Sequence, residues 1–213
     1  MRDIVLIQTY LNSRPYLYHL TDRSNIDRMV RTRRIAPANT LFERAGRLDL
    51  VRRRRNEHER ISIGRDAIVI RDQAPLHTGN LSLPSGYSFE EFTQSLNSRV
   101  FFWPGTAAGP IGYGIRHFER YKNENPAILR LTLASLLLAN TFANATFCRY
   151  NSGSPRCSYG VRSPRGPQTF VPAAEFEGTP SQVVEVTFAS ELALPADTEV
   201  GSHPSGPWRP LGT

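Results

Sequence analysis

Lysine is almost missing from this chain: Lys122 is the only one in 213 residues. The formal charge of +7 is therefore carried by arginine. Cysteine is nearly as scarce, with Cys148 and Cys157 alone. No histidine lies between or beside them, which excludes a cysteine-based structural zinc site. Two free thiols in a reducing compartment is the simpler reading. Long hydrophobic runs are absent too. The longest, Leu129 to Leu138, falls short of the ~20 residues that span a bilayer, so no membrane partner is expected. Met1 to Gln8 has no long apolar core and no small-residue cleavage site, so the expected location is cytoplasmic. No internal repeat is visible.

What is present fits a soluble globular chain. Hydrophobic residues make up 39%, enough for a real core at this length. A single domain over 1–200 with a loose tail over 201–213 is the simplest division. Arginine grips phosphates through a planar fork and stacks on bases. Its excess points to nucleic acid, or only to a GC-rich genome. The densest run is Arg52, Arg53, Arg54 and Arg55, with Arg44, Arg47, Arg60 and Arg65 nearby and Glu57 and Glu59 diluting it. Such a run is either a solvated face or a set of phosphate contacts.

The element order reads as α+β. Asp3 to Leu11 is a strand or a short helix. Tyr16 to Leu20 is a short strand. Ser24 or Asn25 caps a helix from Ile26 to about Arg34, with Ile26, Met29 and Val30 on one face. Leu41 to Arg55 reads as a second helix, with Leu48 and Val51 inward. Ile61 to Ile63 and Ala67 to Ile70 are short strands. Pro75 to Tyr87 is a loop. Ser88 caps a helix from Phe89 to Leu96 whose first turn holds Glu90 and Glu91, where the dipole favours acids. Arg99 to Trp103 is an aromatic strand ended by Pro104-Gly105. Tyr113 to Asn123 reads as a helix. Ala127 to Leu133 is a strand and Ala134 to Asn140 a short helix, or Leu129 to Leu138 is one helix. Asn151 to Gly166 is a polar loop, and strands follow at Thr169–Pro172 and Val183–Phe188.

Tyr18-His19-Leu20-Thr21 stands out. Alternation along a strand points His19 and Thr21 to one face, and Asn25 opens the next helix. An imidazole and a hydroxyl beside a helix start suit a ligand with hydroxyls and phosphates; a structural accident is the plainer reading. Glu185 sits in the apolar run Val183 to Phe188. An inward acid there is costly without a partner or a task, unless it faces solvent on an edge strand. Glu175 and Glu177 are the competing acids, nearer a loop. Arg71, after Ile68-Val69-Ile70 and before Asp72, holds a ligand or makes an ion pair of little weight. Asn151-Ser152-Gly153-Ser154 is a phosphate cradle or simply a turn.

These motifs, in this order, resemble His-Tyr-Glu ADP-ribosyltransferases. The chain resembles the DarT-type DNA ADP-ribosyltransferase toxins, and more closely a poorly characterised bacterial family distantly related to them. The likeness runs from about Tyr16 to Pro195. It rests on His19-Leu20-Thr21, Ile70-Arg71-Asp72-Gln73, Val100-Phe101-Phe102-Trp103, Asn151-Ser152-Gly153-Ser154, Arg165 to Pro172 and Val183 to Thr187.

The resemblance implies an ADP-ribosyltransferase-like fold with a split central sheet and NAD, as substrate, in a cleft. It implies transfer of ADP-ribose with release of nicotinamide, and no metal. Glu185 would stabilise the positive charge that builds on the ribose as the glycosidic bond breaks. Arg71 would hold the pyrophosphate or the acceptor. His19, Leu20, Thr21 and Asn25 would bind NAD, with His19 on the adenosine-side ribose. Phe102 or Trp103 would stack on nicotinamide, although the family pattern often has tyrosine there and this strand has none. The acceptor would be DNA or RNA. Its contacts would be Arg52 to Arg55, Asn151, Ser152, Ser154, Arg156, Arg162 and Arg165. A toxin or anti-phage role with an antitoxin partner follows from the same likeness. The alternatives are a protein-directed transferase, an NAD glycohydrolase, or a non-catalytic nucleic-acid-binding module of the same fold.

Overall fold

The computed structural model describes residues 9–140 and 144–213. The part of the expected Asp3–Leu11 element before Thr9 lies outside them. In chain order the elements that build the site are β1 (Tyr16–Asp22), α1 (Ile26–Thr32), α2 (Ala38–Arg44), β2 (Glu59–Ile63), β3 (Asp66–Ile70), α3 (Phe89–Asn97) and β4 (Val100–Thr106). Then come α4 (Gly112–Tyr121), β5 (Pro126–Thr132), α5 (Leu133–Ala139), β6 (Ala145–Cys148), β7 (Val171–Pro172), β8 (Glu185–Phe188), β9 (Glu199–Gly201) and β10 (Arg209–Pro210). The class is mixed α+β with antiparallel sheets. The main sheet runs β7-β6-β8-β4-β1-β5-β9-β10, and β2 and β3 form a separate hairpin. Among the described residues no helix is long and apolar enough to cross a membrane.

Strand alternation gives the main sheet two apolar faces. Leu17, Phe102, Leu129, Leu131, Val186 and Phe188 pack into one core. Tyr18 and Ile128 face the other way and meet Phe118 of α4, with Trp103 and Trp208 against them. Each fully buried side chain of this kind contributes roughly 1.5–3 kcal/mol.

One feature of the register creates the site. β1 and β4 pair only at Tyr16↔Gly105, Leu17↔Pro104 and Tyr18↔Trp103. Beyond Tyr18 the strands part. β1 stays on β5 as far as Asp22↔Pro126. β4 stays on β8 back to Val100↔Phe188. The sheet thus forks between His19–Asp22 on one side and Val100–Phe102 on the other.

Several expectations need correcting. The helix expected to run to Arg55 ends at Arg44, because Gly46 turns the chain with φ at 69°. A single 3-10 turn, Leu48–Leu50, follows; Leu48 is 68% exposed and Leu50 is the inward residue. Neither Ser24 nor Asn25 caps α1: the Asp22 carboxylate accepts from the Ser24 amide at 2.9 Å, and Asn25 is used elsewhere. β4 does not stop at Pro104-Gly105, because both residues pair with β1. Leu129 to Leu138 is not one helix. The chain switches from strand to helix at Thr132, whose hydroxyl caps Ser135 at 3.0 Å. The tail is not loose. Arg209 and Pro210 pair with Val200 and Glu199, the Trp208 ring lies tilted against Tyr18 with centroids 5.8 Å apart, and Leu211 is buried.

Candidate functional site

A cavity of about 270 Å³ opens at the fork. β1, β3, β4, β8, α4 and the 151–154 loop all reach it, which brings His19, Thr21, Arg71, Trp103, Ser152 and Glu185 to one place. These residues span most of the chain, so only the tertiary fold assembles them.

His19 bridges the fork. Its Nδ1 lies 2.8 Å from the Phe101 carbonyl oxygen. A carbonyl only accepts, so Nδ1 carries the proton and Nε2 is left as an acceptor. Nε2 has no partner among the described residues. Burial, with the Arg71 charge adding to it against the Phe101 hydrogen bond, lowers the imidazole pKa to about 4. The ring is therefore neutral near pH 7 and accepts hydrogen bonds from hydroxyls or amides.

Asn25 has a different task from the expected one. Its Nδ2 donates to Thr21 Oγ1 at 3.0 Å and to the Val69 carbonyl at 2.8 Å. Its Oδ1 accepts from the Val69 amide at 3.0 Å. The side chain is a buried clamp that ties β1 to the β2–β3 hairpin. Thr21 is fixed by it and keeps its own hydroxyl proton to donate.

That hairpin delivers Arg71 to the cavity. Nη2 donates to the Thr21 carbonyl at 2.8 Å, while Nε is buried without a partner. The guanidinium lies over the Tyr121 ring, 4.8 Å from its centroid. Tyr121 donates to Asp72 at 2.9 Å; Asp72 faces His58 at 2.9 Å, and His58 faces Glu124 at 3.0 Å. His58, Asp72 and Glu124 also hold ligand-type atoms within 4.8 Å of one another. The Asp72 amide donates to His58 Nδ1 at 3.2 Å and Arg71 Nη1 lies 3.5 Å from His58 Nε2, so the group forms a polar brace behind Arg71.

Glu185 enters from the opposite bank. It is 3% exposed, on an inner strand between β6 and β4 rather than on an edge. Its Oε1 accepts from the Ser152 amide at 3.1 Å. Its Oε2 is buried with no hydrogen-bond partner among the described residues. Burial raises its pKa to about 7, against the pull of the Ser152 hydroxyl and amide, the Arg165 charge and the Cys148 thiol. Glu175 and Glu177 are exposed and do not line the cavity.

Alternation decides between the two aromatics. Phe102 is buried in the main core at 1% exposure and turns away from the cavity. Trp103 and Phe101 line it. His117 is missed by the motif reading. It stands on α4 between Trp103, at 5.5 Å, and Tyr121, at 5.0 Å, and burial lowers its pKa to about 4. Its spacing to Tyr121, one helical turn, was the only available clue.

A family model described as "Family of unknown function (DUF7002)" matches residues 15–198. The chain belongs to that family. No curated protein and no solved structure matches the chain. The matched span takes in every strand of the fork and every cavity residue named above.

The arginines divide. Arg55 is not a surface contact: it is 6% exposed and donates to Asn97 at 2.7 Å and to the Arg71 carbonyl at 3.0 Å. Burial lowers its pKa to about 10, so it stays charged. Arg54 pins the carbonyls of Gln73 and Ala74. Arg53 pairs with Glu59 at 2.7 Å and Arg52 donates to Gln94 at 2.8 Å, both on the surface. Arg165 is buried as well, donating to the Asn151 carbonyl at 3.0 Å and so shaping the loop that carries Ser152. Arg156 and Arg162 are exposed and have no ion pair among the described residues.

The cavity thus combines a neutral imidazole acceptor, a cation with a spare donor, and a carboxyl group poised to ionise near neutral pH. That set suits a ligand with hydroxyls, negative charge and a developing positive centre.

Proposed function

We propose that the chain is an NAD-dependent mono-ADP-ribosyltransferase that modifies nucleic acid, built on an ADP-ribosyltransferase-like fold. The observation that carries the reading is the unpartnered Oε2 of Glu185, buried in the cavity that also holds His19 Nε2 and Arg71 Nε. A buried carboxyl oxygen with no donor is costly unless a ligand supplies one. A ribose hydroxyl is such a donor. His19 Nε2 accepts from a second hydroxyl, and Arg71 Nε faces the pyrophosphate. The residues present therefore fit NAD.

In this reading the bond between nicotinamide and ribose breaks, and its electron pair leaves with nicotinamide. The positive charge left on the ribose is stabilised by ionised Glu185. An acceptor oxygen or nitrogen then bonds to the same carbon and loses its proton. The net charge of +7 and the unpaired Arg156 and Arg162 support a nucleic-acid acceptor. A toxin or anti-phage role, with an antitoxin to restrain it, accords with such chemistry.

The test is transfer of labelled ADP-ribose from NAD to single-stranded DNA, duplex DNA, RNA and a protein lysate in parallel, for wild type and Glu185→Gln. Label on a nucleic acid that is lost in the variant supports the reading. Label on protein alone replaces the acceptor. Nicotinamide release without label makes it an NAD glycohydrolase, and neither product leaves a binding module.

A further inference from the structure

The loop that carries Ser152 continues into a projecting turn. Ser158 and Val161 exchange backbone hydrogen bonds of 3.0 and 2.9 Å, with Tyr159 and Gly160 between them. Both central residues have positive φ, 52° at Tyr159 and 79° at Gly160. Such a two-residue turn favours Asn or Gly at its first position. A bulky ring there is strained. Yet the Tyr159 side chain packs on nothing: it is 105% exposed, and Val161 beside it is 70% exposed. The ring does nothing for the fold that would offset its strain.

The base of the turn is held on both sides. Asn80 donates to the Pro155 carbonyl at 3.1 Å. Ser163 and Pro164 pair with Leu81 and Ser82, and the Arg165 amide donates to the Ser82 carbonyl at 3.0 Å. Charge is one-sided: no Asp or Glu occurs between Glu124 and Glu175, while Arg130, Arg149, Arg156, Arg162 and Arg165 do. In sequence, Arg156 precedes and Arg162 follows Tyr159 by one short step each, and both are exposed.

We propose that the Tyr159 turn is a nucleic-acid contact, with an unpaired base stacked on the Tyr159 ring and Arg156 and Arg162 on the flanking phosphates. Aromatic faces next to arginines bind single strands in this way with little sequence preference. The turn grows from the loop whose Ser152 amide holds Glu185. This inference rests on the nucleic-acid part of the reading above and not on its NAD chemistry.

The experiment is fluorescence anisotropy with labelled oligonucleotides, as single-stranded DNA, single-stranded RNA and the matching duplex, and without NAD. Wild type binds single strands more tightly than duplex. Tyr159→Gly weakens single-strand binding about 5- to 100-fold while its Tm holds or rises, because the strain is relieved. Tyr159→Phe keeps the affinity. Arg156→Gln and Arg162→Gln each lower the salt slope by about one. Unchanged affinity in Tyr159→Gly, equal binding of duplex, or no binding by wild type overturns the proposal. Nicotinamide release from NAD alone, measured in the same preparations, stays at the wild-type rate in Tyr159→Gly. Release without oligonucleotide binding sinks the turn and spares the NAD reading; binding without release does the reverse.

Discussion

His19 Nδ1 donates to the Phe101 carbonyl oxygen, 2.8 Å away, across the opening where β1 and β4 part. One hydrogen bond thereby closes the head of the fork, fixes the tautomer and turns the other ring nitrogen into an acceptor. His19→Ala is expected to weaken NAD binding about 2- to 10-fold, the range for a hydrogen bond between neutral groups. The loss is the same across about pH 6 to 8, because the ring stays neutral above a pKa of about 4. Calorimetric titration with NAD at both ends of that range checks it; an unchanged Kd removes His19 from the site.

Glu185→Gln is expected to lower nicotinamide release by roughly two to four orders of magnitude. On the proposed reaction, wild-type turnover is expected to rise with pH and level off above about 8, since the Glu185 carboxylate forms around a pKa of about 7. A rate that is flat from about pH 6 to 8 argues against an ionised Glu185 in the rate-limiting step.

Stability gives an independent reading of the same group. In the fold Glu185 holds its proton up to about pH 7; unfolded, it ionises near 4.5. Between those values the folded state binds the extra proton, so wild-type stability falls as pH rises and the loss is complete above 7. Glu185→Gln escapes this loss. Denaturant unfolding is expected to show the variant more stable than wild type by roughly 1–3 kcal/mol at pH 8. The gap narrows toward pH 5. A gap independent of pH contradicts the buried, unpartnered carboxyl.

Arg55→Met is expected to act on the fold, not on nucleic-acid binding. It removes the Arg55 donor from the Arg71 carbonyl and leaves the Asn97 oxygen with Gln73 Nε2 alone, at 3.0 Å, and costs roughly 1–3 kcal/mol. Chemical denaturation reads that cost, while the salt slope of oligonucleotide binding stays at the wild-type value. A changed slope with intact stability returns Arg55 to the surface set.

Gly114→Ala tests how α4 is seated. A Cβ there meets Trp103 side-chain carbons at 2.9 Å and Pro110 at 2.8 Å. The helix has to back away from Trp103, at a cost of roughly 1–3 kcal/mol. His117, one turn further on, moves with it, so Trp103 fluorescence and NAD affinity are both expected to change. Wild-type values of both show that the seat is not tight.

Much of the secondary structure was legible because its signals are local. Ser88 and Glu91 form the reciprocal cap that their spacing foretells. Ile26 and Met29 share the buried face of α1. The residues that failed are those whose partners are far away in sequence. Asn25 reads as a helix cap until Val69, 44 positions on, takes its amide. Arg55 reads as one of four surface charges until Asn97 draws it inward. The proline-rich end reads as a tail until Trp208 finds Tyr18.

The sequence alone determined the α+β class, the alternation that allows only one of Phe102 and Trp103 to face a cavity, and the cost of placing Glu185 in an apolar strand. Those follow from residue type and period, which act over a few positions. Tertiary structure alone decided that β1 and β4 separate after Tyr18, that Trp103 is the inward aromatic, and that His117 joins the wall. Register and the packing of α4 set these, and both depend on contacts that no local pattern encodes.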